Sequence, residues 1–141
     1  MLVSTKGRYA LRVAIDLAEH RGDGYLPLRD IASRQDISEK YLESILKVLV
    51  RARLIEGLRG KGGGYRLTRD PADCTVGDVL RLTEGTLAPV AGLDDPGQFR
   101  AEETRCHEMW TKLDTLITDY LDGVTIADLM VDDMAGNDYV I

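Results

Sequence analysis

Apolar residues from Tyr41 to Val50 recur in adjacent pairs every four positions, the spacing of a helix with one buried face. The apolar positions are Tyr41, Leu42, Ile45, Leu46, Leu49 and Val50. Ser38 precedes them as a natural N-cap. The other face carries Lys40, Glu43, Ser44, Lys47 and Arg51. The pattern predicts an amphipathic helix whose polar face is free to contact a ligand.

Two short β-type segments follow this helix. Leu54, Ile55 and Leu58 read as one strand, and Tyr65, Arg66 and Leu67 read as the next. The tip between them contains Arg59, Gly60, Lys61, Gly62, Gly63 and Gly64. So much glycine favours close backbone approach to a surface such as a phosphate backbone or a minor groove. A helix followed by such a hairpin predicts a winged helix-turn-helix, with double-stranded DNA as the leading ligand. The alternative is a core helix and an ordinary hairpin with a solvated basic face.

The rest of the chain predicts further helices. The first follows Ser4 and ends near Gly22, and a short second one runs through Ile31 before a turn at 36–38. The buried face of the first is predicted to contain Tyr9, Ala10, Val13, Ala14, Leu17 and Ala18. The segments 75–78 and 125–128 both resemble capping boxes that open helices.

A long helix is predicted from about Gln98 to Leu121, with apolar residues at spacings of three and four. Its apolar positions are Cys106, Met109, Trp110, Leu113, Leu116, Ile117, Tyr120 and Leu121. Two such helices, one per subunit, would bury these stripes against each other. The dimerisation residues are therefore predicted to be Met109, Trp110, Leu113, Ile117 and Tyr120. The alternative is that the stripe packs only against its own domain.

These elements predict a mainly α fold with a small β wing, divided into a DNA-binding domain over 1–85 and a dimerisation and regulatory region over 86–141. The charge supports the division. Residues 1–70 contain 14 Lys and Arg against 9 Asp and Glu, whereas residues 71–141 contain 4 against 15, which gives the net charge of -6. The basic half suits DNA and predicts affinity that falls with salt.

The candidate DNA-binding residues come from the polar helix face and the wing. They are Ser38, Lys40, Tyr41, Glu43, Ser44, Lys47, Arg51, Arg59, Lys61, Gly62 and Gly63. Neither a signal peptide nor an apolar run of about 18 residues is evident, so we expect a cytoplasmic protein without a membrane partner. The two cysteines form no spaced framework, and a structural disulfide is not expected.

Enzyme motifs are not matched. The wing glycines form neither a P-loop nor a dinucleotide fingerprint, and His20 and His107 lie on separate predicted helices without a nucleophile elbow. We therefore do not expect an enzyme. A protein-interaction module without DNA binding is the remaining class.

Three segments resemble the Rrf-type (Rrf-two) family of bacterial transcription regulators: STKGRYAL at the start, ISEKYLESIL in the helix and RGKGGGYRL in the wing. The resemblance covers nearly the whole chain. It implies a homodimeric winged-helix protein that binds an imperfect palindrome, with Glu43 and its neighbours reading the major groove and Arg59 near the minor groove. These roles suit a carboxylate that accepts from cytosine N4 and an arginine in a narrow groove.

Relatives that bind an iron-sulfur cluster have three cysteines between the fourth and the long helix, whereas 88–105 contains none here. Cys106 and His107 are adjacent and point about 100° apart on a helix, a poor chelate within one chain. We therefore expect no cofactor, no metal and a structural Cys106 on the apolar stripe, with His107 solvated. A redox-active or metal-binding Cys106 and a cluster site are the alternatives, so both residues are the candidate sensing positions.

Lacking cluster ligands, the chain most resembles the cysteine-metabolism repressor branch of the family. Its LxPVxxL segment after the fourth helix and its terminal DYVI support that likeness. The resemblance implies a repressor of sulfur and cysteine metabolism genes, with cysteine synthase as a further partner.

Overall fold

The computed structural model describes residues 2–93, 95, 97 and 100–131. Helices α1 (Thr5–Glu19), α2 (Leu28–Gln35) and α3 (Glu39–Arg51) precede strands β1 (Ile55–Leu58) and β2 (Gly64–Leu67). Helices α4 (Val76–Glu84), α5 (Thr104–Gly123) and α6 (Ile126–Leu129) follow. Single 3-10 turns cover Arg21–Asp23 and Pro71–Asp73. The predicted mainly helical fold with a small wing is confirmed.

Side-chain caps fix where helices α1, α3, α4 and α6 start. The Ser4 and Ser38 hydroxyls accept from the backbone N–H groups of Gly7 and Tyr41, each at 3.0 Å, and thereby cap α1 and α3. Thr75 and Asp78 form the reciprocal pair of hydrogen bonds that was predicted, both at 3.0 Å. The same capping box opens α6 at 125–128.

Helix α1 lies at the centre of the core and contacts α2, α3, α4, α6 and β2. Its predicted apolar face is buried, apart from the half-buried Tyr9. Ile126 of α6 is fully buried in the same core, although it lies beyond the predicted domain boundary at residue 85. The boundary itself stays a prediction.

A smaller cluster joins α4 to the segment that follows it. Val76, Leu80 and Leu87 are buried there, and Leu121 and Val124 pack against them. The two leucines of the LxPVxxL segment, Leu87 and Leu93, are both buried, at 4% and 6% exposure. This segment therefore contributes apolar side chains to the interior.

The long helix starts later than predicted. The predicted start, Gln98, lies outside the described residues, and 101–103 form a turn in which the Thr104 hydroxyl donates to the carbonyl of Ala101 at 2.6 Å. Helix α5 runs from Thr104 to Gly123. Glu102 and Glu103 precede the first helical turn, where negative charge is favourable to the helix dipole.

No helix among the described residues is both long and apolar enough to cross a membrane.

Candidate nucleic-acid interface

Helix α3 presents the polar face that its sequence predicted. Leu42, Ile45, Leu46 and Leu49 are buried, whereas Lys40, Glu43, Lys47 and Arg51 are exposed. The prediction that Val50 is buried is wrong, since its exposure is 39%. Val50 lies at one edge of the apolar arc and Tyr41 at the other, because successive residues turn by about 100° around a helix.

Three of the candidate residues on and before α3 also have structural roles. The Ser38 oxygen caps the helix, and the Ser44 hydroxyl donates to the carbonyl of Tyr41 at 2.6 Å. Tyr41 is half-buried and packs edge-on against Tyr9 of α1, with ring centroids 5.8 Å apart. The Arg12 guanidinium lies over the other tyrosine, 4.5 Å from the Tyr9 ring centroid. Of these contacts, the pair of tyrosine rings joins the first turn of α3 to α1.

The wing is an antiparallel pair in which Ile55 lies opposite Leu67 and Leu58 opposite Gly64. A third short pairing extends it, since Leu26 and Tyr65 exchange backbone hydrogen bonds of 2.8 and 2.9 Å. The segment before α2 is thereby joined to the wing.

Two of the wing glycines are required by close backbone packing. A Cβ at Gly63 would lie 2.1 Å from the carbonyl oxygen of Leu58, and one at Gly64 would lie 2.1 Å from that of Leu26. Gly64 also has φ of 149°, a backbone conformation that suits glycine. Close packing within the wing and against Leu26 therefore accounts for these two glycines without any ligand.

Side chains also brace the wing. Arg66 donates to the Glu56 carboxylate at 2.6 Å across the two strands, and its guanidinium lies 4.2 Å from the Tyr25 ring centroid. The hydrogen bond to Glu56 raises the pKa of Arg66 above its ordinary value. Sequence patterning placed Arg66 in a strand but did not predict these contacts, because they join positions that are distant along the chain.

A groove of about 620 Å³ separates α3 from the wing. The residues that line it are Lys47, Val50, Arg51, Gly57, Leu58, Arg59, Gly64 and Tyr65. Three of the candidate DNA-binding cations, Lys47, Arg51 and Arg59, therefore share one surface. Lys61 and Gly62 are exposed at the tip of the wing. We call this feature the helix–wing groove.

The candidate dimerisation and sensing residues lie on α5, well separated in sequence from this groove. Met109 and Tyr120 are 50% and 71% exposed, whereas Trp110, Leu113 and Ile117 are half-buried. Leu116, which was not among the predicted dimerisation residues, is 61% exposed on the same stripe. Cys106 is exposed. The expectation that His107 is solvated is wrong, because it is half-buried and its Nε2 is shielded from solvent.

The family model described as "Rrf2: Iron-dependent Transcriptional regulator" matches residues 3–132. The HTH-type transcriptional regulator CymR of Bacillus subtilis is 39% identical over 129 residues, which cover 92% of this chain and 89% of the relative. The HTH-type regulator IscR of Aliivibrio salmonicida is 37% identical over 94% of this chain and 79% of its own length.

Solved structures agree with these matches. The structure of CymR, described as the global cysteine regulator of B. subtilis, superposes with a TM-score of 0.78 at 37% identity, covering 92% of this chain and 95% of that one. The oxidised form of Staphylococcus aureus CymR gives a TM-score of 0.71 at 32% identity, covering 92% and 95% of the two chains.

The described residues do not fit the iron in the family description. Within the described ranges, no three His, Cys, Asp or Glu side chains come together as a metal site. Cys74 is fully buried in the main core, whereas Cys106 is exposed on α5. Burial raises the pKa of the Cys74 thiol to about 11, which opposes the thiolate that a metal requires. The family model spans nearly all of the chain and its relatives share more than a third of its residues, so the protein belongs to the Rrf2 family of winged-helix transcription regulators.

Proposed function

We propose that this regulator binds duplex DNA as a homodimer and represses genes of sulfur and cysteine metabolism. One observation carries the DNA-binding proposal: the polar face of α3 and the wing flank the same groove, to which Lys47, Arg51 and Arg59 all contribute. Such a surface suits a recognition helix in the major groove with phosphate contacts on either side.

Each side chain has a proposed role. Glu43, exposed on α3, is suited to accept a hydrogen bond from cytosine N4, and Arg59 to enter a narrow minor groove. Lys40 and Lys61 would contact phosphates. Pairing through α5 would place two recognition helices about 34–36 Å apart, which is one turn of DNA and suits an imperfect palindrome.

Fluorescence anisotropy on duplexes selected from a random pool by the wild-type protein tests these roles. Arg59→Ala and Lys61→Ala should weaken binding to all duplexes, whereas Glu43→Ala should relax base preference and keep most of the affinity. Lys112→Ala removes one exposed positive charge from α5 and is the matched control. Wild-type affinity and preference in all three variants would refute the interface.

The cysteine-metabolism assignment rests on likeness to CymR, on the LxPVxxL segment and on the terminal DYVI, which lies outside the described residues. We propose cysteine synthase as the partner that reports the sulfur supply. Operator affinity should rise when the synthase is added to the full chain and should not rise for a variant that lacks residues 138–141. If the synthase leaves the operator affinity of the full chain unchanged, cysteine synthase is not the partner.

A thiol response through Cys106 is the second candidate, favoured by the exposure of this side chain. Operator binding by wild type and Cys106→Ser, each with and without hydrogen peroxide, separates the two modes of control. A response lost in the variant would establish a thiol sensor. If hydrogen peroxide changes operator binding equally in the two proteins, Cys106 is not the sensor and regulation by a partner protein is favoured.

A further inference from the structure

We propose that a cavity between α4, the turn at 85–88 and α5 binds a small α-amino acid, with its carboxylate on Arg81 and its ammonium group on Asp114. This cavity shares no lining residue with the helix–wing groove. The proposal therefore adds a ligand site to the molecule and does not depend on DNA binding.

The first support is a small cavity that contains both signs of charge. Its volume is about 260 Å³. The residues that line it are Arg81, Gly85, Thr86, Leu87, Ala88, Asp114 and Thr118. Pockets for drug-sized ligands occupy about 300–1,000 Å³, so this cavity suits a smaller molecule. One cation, one carboxylate and two hydroxyl groups in such a space match the two charged groups of an amino acid.

The second support is that Arg81 is held in place and still has donors to offer. Asp122 accepts from its two terminal nitrogens at 2.8 and 2.7 Å, which leaves the Nε–H and a second hydrogen on each terminal nitrogen. The guanidinium can therefore pair with a second carboxylate through the edge that contains Nε. A Cβ at Gly77 would collide with the Asp122 carboxylate, so the glycine gives this pair the room it needs.

The third support is the negative charge beside Arg81 in the same cavity. Asp114 is half-buried and forms no ion pair with any residue that the structure describes. Gly85 caps the C-terminus of α4, where the helix dipole places partial negative charge. Asp119 of the same helix is exposed instead, as expected of a carboxylate that only faces water. Asp114 and the end of α4 together suit an ammonium group.

An amino acid fits this lining better than a ligand with one charge. A simple anion would pair with Arg81 but would be repelled by Asp114, and a simple amine would meet the opposite difficulty. The hydroxyl groups of Thr86 and Thr118 can donate to a carboxylate. The buried Leu87 offers an apolar wall to a short side chain.

Pairing of two chains through α5 would not require this cavity to be covered. Leu116 of the exposed stripe is two residues from both Asp114 and Thr118, which corresponds to about 200° around the helix. The cavity residues of α5 therefore face away from the stripe.

Isothermal titration calorimetry of the full chain without DNA tests the site, with L-alanine, L-serine and reduced L-cysteine as probes. Propionate lacks only the ammonium group of alanine, and ethylamine lacks only its carboxylate. At least one amino acid should bind with a Kd of about 1 mM or lower. Propionate and ethylamine should bind at least about tenfold more weakly than L-alanine, because each leaves one charged group of the cavity without a partner.

Asp114→Asn should weaken amino-acid binding by about tenfold or more, and Thr118→Val should weaken it by about threefold or more. Asp119→Asn and Thr115→Val make the same two changes at exposed positions of α5 and should bind like wild type. Circular dichroism verifies that each variant folds. Should Asp114→Asn fail to fold, Thr118→Val beside Thr115→Val decides the matter.

Three results would overturn the inference. They are no binding of any of the three amino acids, binding of propionate as tight as that of L-alanine, and equal losses in the cavity variants and their controls. Because DNA is absent from the titrations, each of these results leaves the proposed function standing. A protein that binds an amino acid but no duplex would instead refute the proposed function alone.

Discussion

Asp16 is a charged residue inside the core, with only 3% of its surface exposed. Its two carboxylate oxygens accept from the Nε and one terminal nitrogen of Arg34 at 2.8 and 2.9 Å, and its backbone carbonyl lies 2.8 Å from Nδ1 of His20. A buried charge is tolerated when it is paired and hydrogen-bonded in this bidentate way. The contact joins α1 to α2 and so holds the helix that precedes α3.

Asp16→Ala should therefore lower the free energy of unfolding by about 2 kcal/mol, because the buried half of a bidentate ion pair is removed and Arg34 loses its carboxylate partner. Urea denaturation monitored by circular dichroism measures the change. Asp30→Ala is the control: its contact with Arg29 is 3.9 Å long and exposed, so its loss should cost less than about 0.5 kcal/mol. If the two variants lose the same free energy of unfolding, the buried ion pair stabilises the protein no more than the exposed one.

The two cysteines differ in environment, and their reactivity should differ accordingly. Burial raises the pKa of Cys74 to about 11, with the nearby Asp78 adding to the effect, whereas Cys106 is exposed. At pH 8 iodoacetamide should modify Cys106 in the native protein and Cys74 only after unfolding, since the thiolate is the nucleophile. Mass spectrometry of peptides after timed labelling decides this. Rapid labelling of native Cys74 would contradict its place in the core.

Between elements, α4 and α5 are joined by a bidentate ion pair. Arg81 donates to the two carboxylate oxygens of Asp122 at 2.8 and 2.7 Å. This hydrogen bonding lowers the pKa of Asp122 below its ordinary value. Because the carboxyl is a stronger acid in the folded chain, the stability it contributes is present above the ordinary carboxyl pKa and is lost as pH falls through the lowered one.

Asp122→Asn should accordingly flatten the acid side of the stability profile. The free energy of unfolding should fall less between pH 6 and pH 3 in the variant than in wild type, while the variant is the less stable protein at pH 7. Urea titrations at these three pH values give the comparison. Identical slopes in the two proteins would mean that the pair is not formed in solution.

The elements that the sequence predicted well are those specified locally. Both capping boxes, the Ser38 cap and the buried face of α1 follow from spacing and side-chain chemistry within a few residues. The start of the long helix was predicted less well. The start of α5 was placed six residues early, because the apolar pattern carries no signal for the turn at 101–103.

The candidate interface was likewise predicted in part. Periodicity located the polar face of α3, but it also placed Val50 in the core, and only the position of the wing shows that this side chain faces a groove. The glycines of the wing suggested approach to a ligand, yet Gly63 and Gly64 are explained by the backbone oxygens of Leu58 and Leu26. Sequence patterns indicate which residues share a face, whereas tertiary contacts determine what that face meets.

At the scale of the whole molecule, one feature of α5 points to a second copy of the chain. None of its residues is buried within a single chain, although Leu121 and the adjoining Val124 pack on the smaller cluster. Met109, Leu116 and Tyr120, at spacings of seven and four, leave 50%, 61% and 71% of their surfaces exposed. An apolar stripe of this length facing water favours the homodimer that we propose.

A charge on this stripe should therefore shift the protein toward monomer. Leu116→Glu suits the test better than a change at the half-buried Leu113, because an exposed position leaves the fold of one chain intact. In a dimer the new carboxylate would be buried without a partner, which opposes association. Thr111→Glu adds the same charge at an exposed position off the stripe and should leave assembly unchanged. Sedimentation velocity measures both variants beside wild type. A monomeric wild type, or a Leu116→Glu protein that remains dimeric, would show that α5 does not pair through this stripe.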